Sequence, residues 1–230
     1  MAFILGIVVA VITDIIVKLL PIGENIRFKI LFNWRKFTKW IHNTPIKAKY
    51  FNKTQNLENK KMPFDTAVNE LEGILLSHDF LLKGKLGNSV SLSRLFGKTE
   101  INLSLTPSYE TIVENEEERL IISQIQAEYE VVNCRYKDFT GNLFDLMQVA
   151  IDVERNLRPI VGDWVQETLL LELKKLYEYT GVFSEFKLSS LTGKIAGKYE
   201  INMSENQFVI YGKPETSMIS MVKDVIAFYY

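Results

Sequence analysis

The sequence predicts an α+β protein with an N-terminal transmembrane helix, a basic amphipathic helix, one internally duplicated α+β domain and a C-terminal helix. Three observations carry this. An unbroken apolar run opens the chain, a cluster of cations and aromatics follows it, and helical and alternating hydrophobic patterns then interleave to the end.

The apolar run is Ala2 to Thr13; it resumes after Asp14 as Ile15-Ile16-Val17 and closes at Pro21. A helix of this length reaches about 28 Å, the thickness of a bilayer's hydrocarbon core. Asp14 and Lys18 each cost about 2.5–3.5 kcal/mol at mid-bilayer. They lie near the end of the run, where an i,i+4 pair forms and a lysine snorkels. No basic n-region precedes the run, and Leu19-Leu20-Pro21-Ile22-Gly23 is a poor cleavage site, so the sequence favours an anchor over a cleaved signal. An interfacial or core helix is the other alternative. Residues 1–22 are therefore read as the anchor.

Orientation follows from charge. From Lys18 to Lys53 there are nine basic residues and one acid, Glu24, a net charge of +8. The positive-inside rule places the bulk of the chain in the cytoplasm of a single-pass cell-membrane protein. A lone cysteine, Cys134, forms no internal disulfide and fits a reducing compartment.

Residues 23–43 form a juxtamembrane unit. Ile30, Trp34, Phe37 and Ile41 recur at helical spacing, with Arg35, Lys36 and Lys39 on other faces. Such a helix suits the anionic headgroup layer. The membrane-interface residues expected are Arg27, Lys29, Trp34, Arg35, Lys36, Phe37, Lys39 and Trp40. The competing reading packs the aromatics on the body of the domain.

Beyond it the charge reverses. Thr54 to Tyr230 holds 18 basic and 26 acidic residues, net −8, which opposes binding to nucleic acid or to anionic lipid. Residues 44–63 read as one strand about Ile46–Phe51 and a polar linker. Residues 64–230 read as a single cytoplasmic domain, with halves at about 64–118 and 119–230. Glu114-Asn115-Glu116-Glu117-Glu118 reads as a solvated loop.

In the first half, Phe64, Val68, Leu71 and Leu75 predict a helix to His78. Strands near 80–86, 90–95 and 99–105 follow, punctuated by Gly87-Asn88 and Gly97. Arg119 to Tyr136 is a long β-pattern, and 141–156 a helix. Trp164 to Tyr179 carries the stripe Val165, Leu169, Leu173 and Leu176 and is predicted helical. Strands near 182–188, 194–203 and 207–211 and a helix over 215–228 complete the chain.

The duplication rests on an echo. Gly97-Lys98-Thr99-Glu100-Ile101-Asn102-Leu103-Ser104 returns as Gly197-Lys198-Tyr199-Glu200-Ile201-Asn202-Met203-Ser204. Extended back to position 68 at an offset of 100, it gives ten identities in 37 positions, including Leu71, Glu72 and Leu76 with Leu171, Glu172 and Leu176. The order of elements resembles the TATA-binding-protein type of fold and, more loosely, helix-grip lipid-binding folds. The likeness is one of topology. No diagnostic residues of either family are visible.

Chemistry is sparse. Gly97-Lys98-Thr99 lacks the glycine a phosphate loop needs at position 92, which is leucine, so a hairpin turn is expected. The only histidines, His42 and His78, fall in no metal or triad pattern. Cys134 sits among apolar residues and is expected buried. No catalytic residue, cofactor or metal is assigned. The sequence favours a membrane-tethered scaffold, adaptor or component of a membrane complex, with lipid and a protein partner or a second copy as its contacts and no nucleic acid. A binder of lipid or small apolar ligands and an enzyme without histidine, metal or nucleotide loop are the alternatives.

Overall fold

The computed structural model describes residues 29–30, 33–34, 36–37, 40, 43–55, 57, 62–114, 116–173, 190–195, 199–204, 207–212 and 215–229. The apolar run Ala2–Leu20 lies outside them. Among the described residues no helix is long and apolar enough to cross a membrane.

Besides the helical residues between 29 and 40, the described chain builds a nine-stranded sheet and three helices. In order these are β1 (Ile46–Thr54), α1 (Phe64–Leu76), β2 (Leu81–Leu86), β3 (Ser89–Phe96), β4 (Thr99–Glu114) and β5 (Glu117–Val131). Then come α2 (Phe139–Val161), β6 (Trp164–Leu173), β7 (Ser190–Ile195), β8 (Tyr199–Ser204), β9 (Gln207–Tyr211) and α3 (Thr216–Tyr229). The strand order is β2-β3-β4-β5-β1-β6-β9-β8-β7, and every neighbouring pair is antiparallel. The strand nearest the N-terminus thus lies in the middle of the sheet, between β5 and β6.

Alternation sets the two faces. In β1, Ile46, Ala48, Tyr50, Asn52 and Thr54 are buried, whereas Lys47 is exposed and Lys49, Phe51 and Lys53 are only partly covered. β5 answers in register with buried Ala127 and Tyr129 opposite Asn52 and Tyr50. The buried face is covered by helices. α2 lies against β1, β4 and β5 and meets α1 and α3 on either side. Its stripe of Leu143, Leu146, Val149, Ala150, Val153 and Leu157 is wholly excluded from solvent. Met218, Ile219, Val222 and Ile226 bring α3 into the same core.

Polar pairs join the layers. Asn52 Nδ2 donates to Glu154 Oε1 at 2.8 Å. The Thr99 hydroxyl donates to Asp145 Oδ2 at 2.5 Å. Arg94 sits between the rings of Phe80 (5.5 Å) and Phe96 (5.6 Å) and donates to Asp152 at 3.1 Å.

The first half follows the sequence closely. α1, β2 and β3 lie where the periodicity places them. The strand expected near 99–105 runs on to Glu114 as β4, because it pairs with β5 along its whole length, and the long β-pattern is β5, which ends at Val131. The helix expected over 141–156 runs further, from Phe139 to Val161, with Pro159 in its last turn. The acidic run is no loop: Glu114 and Glu117 pair at the tip of the β4–β5 hairpin. The polar linker touches the core, since Leu57 is buried and its N–H donates to Ser123 at 2.7 Å.

The second half brings corrections. Trp164–Leu173 is a strand, not the start of a helix. Leu169 and Leu171 share the buried face, pairing with Tyr50 and Ala48 on one side and with Ile210 and Phe208 on the other. Two ladders outweigh the helix propensity of a Leu/Glu-rich segment. The single strand expected over 194–203 is the hairpin β7–β8 instead. Residues 174–189, including the strand expected near 182–188, lie outside the described residues.

Candidate functional site

Two surfaces collect the functional residue types. The first is the basic–aromatic segment, whose described residues between 29 and 40 are helical. Spacing of three stacks Trp34, Phe37 and Trp40 along one side. Trp34 and Phe37 have centroids 5.7 Å apart and are tilted, and Phe37 and Trp40 lie 6.5 Å apart and nearly parallel. Phe37 is 48% exposed and Trp40 51%.

Among the described residues, charged, cation–ring and main-chain contacts join the segment to the body. Lys36 Nζ lies 2.5 Å from Asp224 of α3. Lys137, just ahead of α2, places its ammonium 4.4 Å above the Trp40 ring. Asn43, held at a positive φ of 46°, accepts from the Lys137 N–H through Oδ1 at 3.2 Å. Its carbonyl accepts from Arg135 at 3.4 Å. Lys223 of α3 stands 5.1 Å from the Tyr136 ring and donates to the Lys137 carbonyl at 3.4 Å.

The structure thus joins Trp34, Lys36, Phe37 and Trp40. Lys29 is exposed. Arg27, Arg35, Lys39 and His42 lie outside the described residues. Sequence reasoning missed Lys137 and Lys223, which the fold delivers from about 100 and 190 residues further along an otherwise acidic body. No local pattern marks them.

The second surface is the face of the sheet turned away from the helices. Here Ser91, Ser93, Asn102, Ser104, Gln126, Glu128 and Glu130 pair across β3, β4 and β5. A shallow open depression of about 440 Å³ lies among them, with Lys83 and Glu100 on its lining. Its ions are already engaged. Lys83 Nζ is 2.9 Å from Glu100, Lys49 contacts Glu128 directly and Glu130 at 3.9 Å, and Lys47 is 3.3 Å from Glu172. Burial pulls the Lys49 pKa down, but the Glu128 hydrogen bond and the charges of Glu128, Glu130 and Glu172 outweigh it and raise it overall. Lys49 is a fixed cation, unsuited to act as a base.

Elsewhere the reactive residue types are quiet. Cys134 is buried, and burial pushes its thiol up to about 11, so it stays protonated at neutral pH. His78 is exposed in the turn after α1. Among the described residues no three His, Cys, Asp or Glu side chains come together as a metal site. No protein-family model matches the chain, and no curated protein matches it significantly.

Proposed function

We propose that the chain is a single-pass membrane-anchored scaffold or adaptor, with its body in the cytoplasm. In this reading Ala2–Leu20 spans the bilayer, and the helix through Trp34, Phe37 and Trp40 lies in the headgroup layer. The open sheet face is presented to a protein partner. The observation that carries it is the exposure of Phe37 and Trp40. Two large aromatics stay half in solvent although a folded body lies beside them, and Lys36–Asp224 and Asn43–Lys137 are among the contacts that join their segment to it. Amphipathic rings flanked by cations suit the membrane interface. Lys137 and Lys223 add body-derived cations to the same end of the molecule.

Carbonate extraction followed by protease protection tests the reading. The full chain is expected to resist carbonate and to expose its large domain on the cytoplasmic side. A chain stripped by carbonate would overturn it. Within the membrane-bound protein, Trp40 fluorescence is expected to be quenched by lipids brominated near the headgroup, and unquenched tryptophans would remove the headgroup placement.

We also propose that the domain arose by duplication, on different boundaries from those the echo implies. Its two units would be β1-α1-β2-β3-β4-β5-α2 and β6 through α3, meeting where β1 pairs with β6. In support, β3–β4 and β7–β8 occupy corresponding hairpins, and both precede a strand that runs beside the central one. Their connections differ by one residue: Phe96 faces Thr99, whereas Ile195 faces Tyr199. The earlier part of the echo has no such support, because Leu71 lies in helix α1 and Leu171 in strand β6.

A further inference from the structure

We infer that β2 is a self-association edge, along which a second copy of this chain adds its own β2 antiparallel about a two-fold axis. β2 ends the sheet, and among the described residues no strand takes up its outer row of main-chain N–H and C=O groups. All six of its residues are exposed. Leu81 is 70% exposed, Leu86 84%, and Leu95 on the adjoining strand 70%. A free edge dressed with leucines invites strand addition.

Charged side chains, lysine above all, are one protection of such an edge. Here both lysines are neutralised within the chain: Lys83 lies 2.9 Å from Glu100, and Lys85 2.5 Å from Glu72 of α1. With Glu100 and Glu72 beside them, the lysines of each copy bring a reduced net charge to the edge.

Register makes the edge complementary to itself rather than to an arbitrary strand. A bulge between Leu82 and Gly84 places Leu81, Gly84 and Leu86 opposite Ser93, Ser91 and Ser89, on the open face. Leu82 and Lys85 stand opposite Leu92 and Val90, on the helix side. A two-fold between Lys83 and Gly84 then sets Leu81 opposite Leu86 of the second copy. It sets Leu82 opposite Lys85 of the second copy, and Lys83 opposite Gly84. All six residues pair and each meets one on its own face. A slip of one residue would set open-face against helix-face positions. The two leucine pairs come together on the open face, and the contact is isologous and closes at two copies.

The inference names the self-association partner of the proposed scaffold, but it does not depend on the membrane reading. Detergent-solubilised full chain carrying Cys134→Ser tests it. Under mild oxidation Leu81→Cys with Leu86→Cys is expected to give a covalent dimer, while either cysteine alone forms no covalent link between copies. Lys85 faces Val90 as a non-hydrogen-bonded pair, next to the Leu86–Ser89 pair that closes the hairpin, so its N–H points to the edge. Lys85→Pro removes that edge N–H and is expected to halve the mass seen by light scattering, with an unchanged circular dichroism spectrum. A monomeric parent protein, a dimer that survives Lys85→Pro, or cross-linking by Leu86→Cys alone would each overturn the proposal. Carbonate extraction of the same variants is expected to be unchanged, so failure here leaves the anchor reading standing, and the reverse.

Discussion

Tyr50 and Tyr129 stand directly opposite each other across β1 and β5, with ring centroids 5.8 Å apart and planes tilted by 43°. Both are fully buried at the centre of the sheet beneath α2. Beside them Asn52 reaches Glu154, so one patch of core is both aromatic and polar. Replacing Tyr129 by Ala is expected to cost about 3–5 kcal/mol, as for other buried aromatics. Asn52→Ala withdraws a donor from Glu154 and is expected to cost about 1–3 kcal/mol. Urea denaturation of the purified chain checks both. A double-mutant cycle of Asn52 with Glu154 should return a coupling rather than additive losses.

Arg94 works by shape as much as by charge. Arg94→Lys keeps the cation beside Asp152 but loses the planar group lying between Phe80 and Phe96. The expected loss is about 1–2 kcal/mol, seen as a lower urea midpoint. An unchanged midpoint would show that the ion pair alone holds this corner.

Two glycines separate backbone strain from crowding. A methyl group at Gly97 or at Gly73 would meet nothing within 4 Å. Gly97, however, turns the β3–β4 hairpin at φ +60°, whereas Gly73 lies inside α1. Gly97→Ala is therefore expected to destabilise by about 1–2 kcal/mol. Gly73→Ala is expected to stabilise by about 0.5–1 kcal/mol. Thermal unfolding of the two variants should move in opposite directions.

Stability should fall in alkali. Burial raises the Cys134 thiol from 9.0 to about 11 and Tyr136 from 10.0 to about 12, and it raises Tyr50 and Tyr129 further. These acids are held neutral in the fold, which binds their protons more tightly than the unfolded chain does. Their contribution is complete below pH 9 and declines as pH rises through 11 and 12. The urea midpoint is expected to drop between pH 9 and 11, and less so in Cys134→Ser. Iodoacetamide at pH 8 should label Cys134 slowly in the native protein and quickly in urea.

Local patterns reach as far as local forces decide. The stripe Phe64, Val68, Leu71 and Leu75 reads as a helix because nothing distant contradicts it, and Gly97-Lys98 reads as a turn for the same reason. Trp164–Leu173 is different. Val165, Leu169 and Leu173 fit a helical stripe, and Leu169, Leu171 and Leu173 fit a strand equally well. The choice is made by β1 and β9, far away in sequence. The candidate membrane surface divides likewise. Trp34, Phe37 and Trp40 announce themselves by spacing, but Lys137 and Lys223 join them only through the packing of α2 and α3. The self-complementarity of β2 depends on a bulge that no residue pattern in Leu81–Leu86 reveals.

The central position of β1 makes the continuity of the sheet depend on contacts distant in sequence. Of the described strands synthesis delivers β1 first, yet both its neighbours come much later, Glu128 lying 79 residues beyond Lys49. The meander β2–β5 can form from contacts close in sequence, and so can β7–β9. Neither brings the two sides together. Capture of β1 by β5 and β6 closes long loops and makes one sheet from two. The strand nearest the start of the described chain is thus the keystone of the sheet, which is continuous only through its pairings on both sides.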